Sequence, residues 1–366
     1  MLSRRSLLWS LSLPLIGPGC AALDPKEIVT LRADPIQPLT RIAFGSCLRQ
    51  NRPQPIWPRI LGTAPDLFVH LGDNIYGDTE NLSELKFKYA RLWGDPGYRM
   101  LRRRVPVVAT WDDHDFGRNN AGREFPAKAA SKQVFCDFFG EPASSERRVR
   151  DGGIFTSYVF GPEGRRVQLL MLDVRYDRSP LVKVPPEQRA DRRARSMGYY
   201  RPNTDPNARI LGADQWTWLE GELLKPAELR LIASGTRVLA EETGHEEWAN
   251  FPRERQRLFD LIRRTKANGV LFVSGDPHFS EYSQIADSEV PYPLWEMTSS
   301  ALNQYNRRIR RNIRRVSGPY GEPNFGLIEI LWAGRKSKVV FSTRNLNGME
   351  VLRQEVAVEA LKNPGS

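Results

Sequence analysis

The chain has 366 residues, a hydrophobic fraction of 40% and a formal net charge of +11. That length and apolar content exclude a disordered chain and a polytopic membrane protein, and leave room for one large domain or two ordinary ones. Three cysteines, Cys20, Cys47 and Cys136, are too few for a disulfide framework, and the positive balance fits an anionic substrate or surface without demanding either.

The first residues, "MLSRRSLLWSLSLPLIGPGCAAL", place Arg4 and Arg5 before an apolar stretch from Leu7 to Ile16 and small residues from Gly17 to Ala22. The apolar part is short for a bilayer span and reads as a signal peptide over residues 1–22. "SRRSLL" is close to a twin-arginine signal, and a general secretory signal with two arginines is the alternative. Export by the twin-arginine machinery to a periplasmic or extracellular location is the expectation. A membrane anchor enters only if Cys20 is lipidated, and "GPGC" is a poor lipobox.

Residues 23–366 show no low-complexity linker, no repeat and no convincing boundary, and read as a single domain. Apolar strands alternate with helical stretches, an α/β rhythm. In chain order the strands are "RIAFGSC" (41–47), "PDLFVHLGDNIYG" (65–77), "VPVVATWDDHD" (105–115), "RVQLLMLDVR" (166–175), "LRLIASGTRV" (229–238) and "GVLFVSGDPH" (269–278). Helices are expected over 82–93, 126–139, 212–224 and 253–268. The tail alternates with period two around an Asn347-Gly348 turn signal and predicts antiparallel strands that finish a sheet.

Most of these strands stop on a residue that can bind metal: Cys47, Asp73, Asp112 to His114, Asp173, then Asp276 and His278. Sites in α/β folds gather beyond the carboxyl ends of strands, so the pattern predicts one site at one edge. Each residue alone has a plainer reading. Asp after Gly is often a turn residue, Cys47 alone a small buried hydrophobe, and "WDDHD" a helix N-cap cluster. Taken together the carboxylates need something positive, because clustered acids cannot all ionise unbalanced. No CxxC spacing exists, which excludes a zinc finger. Asp73 and Tyr76, three apart beyond a strand, can face one way, and an Asp oxygen can bridge two cations. A Tyr phenolate and a Cys thiolate suit ferric iron. Asp113, Asp276 and the amide oxygens of Asn119 or Asn120 are hard donors that suit calcium, magnesium or manganese.

"FGSC", "LGDNIY", "TWDDHD", "LDVR" and "SGDPH", in this order, resemble the alkaline phosphatase D (PhoD) family of the calcineurin-like metallophosphoesterases. The likeness spans about residues 40–335. It implies a layered α/β sandwich of two mixed β-sheets flanked by helices, and an exported hydrolase of phosphate mono- and diesters. Its cofactors would be Fe(III) and Ca(II), with Zn, Mn or Mg as alternatives at the second site. By motif, Cys47, Tyr76 and His278 would bind iron, Asp73 would bridge, and Asp113 and Asp276 would bind the second metal. Asn119 or Asn120 would add an oxygen to that metal or touch the phosphate. A hydroxide on the metals would attack phosphorus in line, with His114 as donor to the leaving group. Arg175 is expected to clamp a phosphate oxygen, with an ion pair to Asp173 or Asp177 as the plainer alternative. His245 lies in a charged loop and is a weaker ligand candidate.

Two basic runs remain, "NRRIRRNIRRV" (306–316) and "DRRARSMGYYRP" (191–202). Either could hold a polyanion, though such runs more often are solvated or pair with local acids. The second reads as a loop over the site. The competing functions are an exported nuclease, with nucleic acid as substrate only, and a catalytically silent phosphate- or polyanion-binding protein.

Overall fold

Two kinds of strand build the scaffold: buried apolar runs that pair in parallel, and strands of mixed composition that close the sheets antiparallel. The computed structural model describes residues 32–363 other than 287. The expected signal peptide therefore lies outside the described residues.

In chain order, β1 (Arg41–Gly45), α1 (Trp57–Gly62), β2 (Leu67–Leu71), α2 (Leu82–Gly94), α3 (Pro96–Arg104) and β3 (Val107–Thr110) form a parallel β-α unit. Next come α4 (Asp113–Phe116), α5 (Lys128–Phe139), α6 (Glu146–Val149), β4 (Thr156–Phe160) and β5 (Val167–Met171). The small hairpin of β6 (Val182–Lys183) and β7 (Tyr200–Arg201) holds α7 (Arg189–Ala194) between its strands. Then follow α8 (Ala213–Leu223), β8 (Leu229–Ser234), α9 (Pro252–Arg264) and β9 (Val270–Ser274). The chain finishes with β10 (Ser280–Ile285), β11 (Leu294–Ser299), β12 (Arg315–Tyr320), β13 (Asn324–Leu331), β14 (Lys338–Asn345) and β15 (Glu350–Ala357).

One sheet has the order β15-β14-β13-β1-β2-β3 and the other β12-β10-β11-β9-β8-β5-β4. Both mix parallel and antiparallel pairs, as a sandwich of two mixed sheets flanked by helices requires. The strand period sorts the side chains. Ile42, Phe44, Leu67, Val69 and Leu71 join β5, β8 and β9 residues in the core between the sheets. Ala43 and Phe68 point the other way, into a second core with Trp57, Leu85, Tyr89 and Phe135 from the helices. A strand buried on both faces must be apolar throughout, which is why "LFVHL" shows no clean alternation. Helix α2 starts where the Asn81 side chain accepts from the Ser83 and Glu84 amides at 2.9 and 3.2 Å, satisfying N–H groups the first turn leaves without partners.

The expected strands are shorter than their apolar runs. β2 stops at Leu71 because Gly72 and Asp73 both take positive φ, 94° and 48°, and β3 stops at Thr110, before the short helix α4. The expectation of one sheet edge is corrected. β1, β2 and β3 belong to one sheet and β5, β8 and β9 to the other, so the site sits where the carboxyl ends of two sheets meet. Helix α3 and the β10–β12 strands were not anticipated: α3 is short and arginine-rich, and β10 is a polar strand that the fold buries.

Candidate metal centre

The four ionisable groups of "DDHD" part company as soon as β3 ends. Asp112 turns inward to the Arg175 guanidinium, 2.6 Å from Nε. Asp113 opens α4 and points to the site. His114 gives Nδ1 to the Asp78 carboxylate at 2.6 Å. Asp115 accepts from the Ile75 and Asp112 amides at 3.2 and 3.1 Å and from the Tyr89 hydroxyl at 3.3 Å. Two of the four are thus structural, tying the β2 loop to α4.

The remaining residues converge from both sheets. Donor atoms of Cys47, Asp73 and His278 lie within 4.8 Å of one another, and so do those of Asp73, Asp113 and His114. Asp73 belongs to both groups. Its Oδ2 lies 3.4 Å from the Cys47 thiol, while its Oδ1 is buried with no hydrogen-bond partner among the described residues. Such an orphaned acceptor is expensive unless something fills it. The Tyr76 hydroxyl sits 2.9 Å from His278 Nε2, and the Arg49 guanidinium packs over its ring, 4.0 Å from the centroid. The Asn120 amide nitrogen in the main chain donates to Asp113 Oδ2 at 2.6 Å, and its side-chain amide donates to the Tyr200 hydroxyl at 2.7 Å. Asp276 and Asn119 line the same cavity of about 170 Å³ but stand outside both three-residue groups.

The backbone carries a matching signal. Cys47, Asp73, Asn120, Asp276 and His278 all have positive φ, from 48° to 87°. For a residue with a side chain this region costs on the order of 1 kcal/mol or more, and such conformations cluster at functional sites. The glycines before two of these aspartates have a local reason as well. A Cβ on Gly72 would lie 2.4 Å from that of Asp112, and one on Gly275 would lie 2.7 Å from the Leu71 carbonyl oxygen. Only glycine lets the two loops approach closely enough to share a site.

The electrostatics ask for a cation. Burial and the neighbouring Asp113 push the Asp73 carboxyl well above the usual carboxylate range. Burial and Asp73 push the Cys47 thiol up, and burial with Cys47 does the same to the Tyr76 phenol. Asp113 feels the same burial, but Arg175, His114 and the Asn120 amide outweigh it and hold it at about 2. Burial opposes charge on His114 too, yet Asp113, Asp73 and Asp78 raise it to about 10. A polyvalent cation reverses the balance, since anionic ligands become its charge complement. The donor set fits a pair of metals: a mixed thiolate, phenolate and imidazole side around Cys47, Tyr76 and His278, and an all-oxygen carboxylate side around Asp113, meeting at Asp73.

One expected residue is displaced. Arg175 is fully buried, with Nη1 2.6 Å from Glu246 Oε1, Nε on Asp112 and Nη2 3.8 Å from Asp113. It stands behind the site and does not line the cavity, so the substrate clamp is corrected to an ion-pair hub. The alternative partners also differ. Asp173 caps backbone amides of Ile154, Arg175 and Tyr176, which makes it structural.

Several cavity residues went unread in the sequence. Ser300 holds the thiol, with Oγ 3.0 Å from Cys47 Sγ, and accepts from the His278 amide at 3.0 Å. Glu246, Arg237, Tyr200 and Arg310 line the cavity beside His245. Only "GHEEW", next to the weighed His245, and the two basic runs, which hold Tyr200 and Arg310, offered a signal. The loop that carries Tyr200 does lie over the site. It holds α7 and β7, and through Tyr200 and His245 the cavity continues into an outer pocket of about 310 Å³ lined by Lys183, Arg189 and Tyr199.

Comparisons with known proteins identify the family and the fold. The model of the PhoD-like phosphatase family matches residues 42–319. Alkaline phosphatase D of Bacillus subtilis (strain 168) is 23% identical over 280 residues, 68% of this chain and 47% of that protein. The chain thus spans about half the length of the curated relative it matches. The solved structure of PhoD superposes with a TM-score of 0.66 at 17% identity, covering 90% of this chain and 72% of that one. A dimetal phosphatase from Danio rerio gives a TM-score of 0.51 at 13% identity, covering 88% of this chain and 100% of that one. With a family model matched over most of its length and a PhoD-like fold around the converging ligands, the chain belongs to the PhoD-like phosphatase family.

Proposed function

We propose that this protein is an exported, metal-dependent hydrolase of phosphate mono- or diesters. The observation that carries the reading is the meeting of two ligand groups at Asp73. Cys47, Tyr76, His278 and Asp73 would hold Fe(III). Asp73 and Asp113, with Asp276 and an asparagine oxygen from Asn119 or Asn120, would hold Ca(II) or, in its place, Zn, Mn or Mg. When bound, the metal pair supplies Lewis acidity to the phosphate oxygens and to water.

The chain's own residues do the rest. Asp78 holds His114 at Nδ1, so the ring offers its other nitrogen to the reaction, and that carboxylate favours the protonated ring. In that state it donates to the departing alkoxide. Asp115, the Asn120 amide and Ser300 fix the orientation of α4, Asp113 and Cys47 respectively. The cavity mouth at Tyr200 and the outer pocket beyond it receive the esterified alcohol. Export rests on the Arg4-Arg5 signal pattern, and a membrane anchor would depend on Cys20.

The nuclease and silent-binder readings draw less support. Four of the six arginines in residues 306–316 pair with carboxylates of their surroundings, so that run presents little free charge to a polyanion. The test is elemental analysis of folded protein purified without chelators or a nickel column, followed by a phosphoester panel. Iron near one per chain with chelatable calcium, and turnover, is the expected result. Folded protein with neither bound metal nor hydrolysis would overturn the proposal.

A further inference from the structure

The arginines of residues 306–316 are not equivalent. Arg307, Arg311, Arg314 and Arg315 end on Glu322, Glu242, Glu241 and Glu281 at 2.5, 2.8, 2.7 and 2.6 Å. Arg310 has no carboxylate within ion-pairing distance among the described residues. It lines the inner cavity with Asp73, Asp113, His114, Asp276 and His278. The other arginines around the cavity are already committed: Arg237 to Glu281 at 3.1 Å and Arg175 to Asp112 and Glu246. Arg310 is therefore a cation turned toward the candidate centre with its charge unmatched by protein.

Its placement is enforced by His245, its neighbour on the cavity wall. Arg310 Nη1 lies 2.9 Å from His245 Nδ1 and also contacts Nε2. A guanidinium only donates, so the imidazole must accept and must be neutral. Burial, then Arg310 and Arg237, keep it so by lowering its protonation to about 2. His245 is itself tied down: its amide donates to Thr243 Oγ1 at 3.0 Å, and its carbonyl accepts from the Asn250 side chain at 2.6 Å. The histidine that looked like a weak ligand candidate spends its acceptor on a guanidinium that lines the same cavity.

We infer that Arg310 binds the non-bridging oxygens of the substrate's tetrahedral phosphate, and that His245 is the positioning residue that aims it. The forked donors of a guanidinium match two oxygens of such an anion. The ligand class is a phosphate ester, with inorganic phosphate as the product that competes for the same place. This assignment rests on the phosphoester reading above for its substrate, but not for its anion.

The experiment compares wild type with Arg310→Ala, Arg310→Lys, His245→Gln and His245→Leu. Metal content and thermal melting confirm that each remains folded and loaded. Arg310→Ala is expected to raise KM for a nitrophenyl phosphoester, and the inhibition constant for inorganic phosphate, by roughly 10- to 100-fold. Added guanidinium ion should recover part of the loss. Arg310→Lys should fall between, because charge survives and the fork does not. His245→Gln keeps an acceptor and should stay near wild type, while His245→Leu should move KM toward the Arg310→Ala value with less change in kcat. Unchanged KM and phosphate inhibition in a loaded Arg310→Ala protein would overturn the inference and leave the hydrolase reading intact. Wild type that binds phosphate by calorimetry in an Arg310-dependent way, yet hydrolyses no ester, would overturn the hydrolase reading and support the anion site.

Discussion

Replacing Arg175 with Met separates a buried hub from a substrate clamp. The guanidinium holds Asp112 and Glu246 at 2.6 Å each and faces Asp113, all with side chains at most 4% exposed. Burial works against charge on Arg175, and Asp112, Glu246 and Asp113 overcome it. Met fills similar volume but leaves those carboxylates uncompensated. Breaking a buried ion pair from one side costs about 3–5 kcal/mol. At about 2 cal/mol/K of unfolding entropy per residue, a chain of 366 residues would melt roughly 4–7 °C lower. Thermal melting and steady-state kinetics on the same preparation check this, with Arg175→Lys as a variant that keeps charge and loses the fork. The hub reading expects a large melting shift, and changes in KM no larger than the damaged Asp113 position explains. A melting point within about 1 °C of wild type, with KM raised and kcat unchanged, would mean that the guanidinium reaches substrate and would refute the argument.

Other consequences can be checked in parallel. Asp73→Ala should remove both metals and hydrolysis together, a loss beyond the roughly 10- to 100-fold typical of an outer-shell partner; elemental analysis reads the first and a phosphoester assay the second, and full activity would sink the bridging role. His114→Ala should keep the metals and slow turnover by about 10²- to 10⁴-fold, most for poor leaving groups; equal slowing across leaving groups would remove the acid from His114. His70 lies away from the site, ringed by Trp57, Phe68, Tyr98 and Phe139, with both ring nitrogens unpartnered among the described residues. Burial, and then Arg102, lower it from 6.5 to about 3. Between those values the unfolded chain binds a proton that the folded one refuses, so stability is full above pH 6.5 and falls as pH drops toward 3, on the order of 5 kcal/mol at most. His70→Phe should flatten that acid limb in denaturant titrations at pH 4 and pH 7; parallel profiles for variant and wild type would refute it.

Five candidate ligands were legible because each follows an apolar run: Cys47 after β1, Asp73 after β2, Asp113 after β3, and Asp276 with His278 after β9. A local pattern of strand followed by donor survives in one dimension, and so does the Asn347-Gly348 turn between β14 and β15. The roles of the arginines were not legible. Arg175 follows a motif acid and Arg310 is one of six arginines in a basic run, and only the packing of one behind the site and the other into the cavity shows what each does. Asp173 ends its strand as the true candidates do, yet the turn after β5 uses its oxygens on backbone amides.

By itself, then, the sequence determined the strand and helix alternation, the order of the donors and the chemistry of the residue types, because hydrophobic period and side-chain identity are local properties. Tertiary structure decided that two sheets rather than one supply the site, that Asp73 stands in both donor groups, and which charged side chains meet partners in the interior. Those are matters of distance between segments far apart in the chain, and charge costs little or much according to whether such a partner lies within reach.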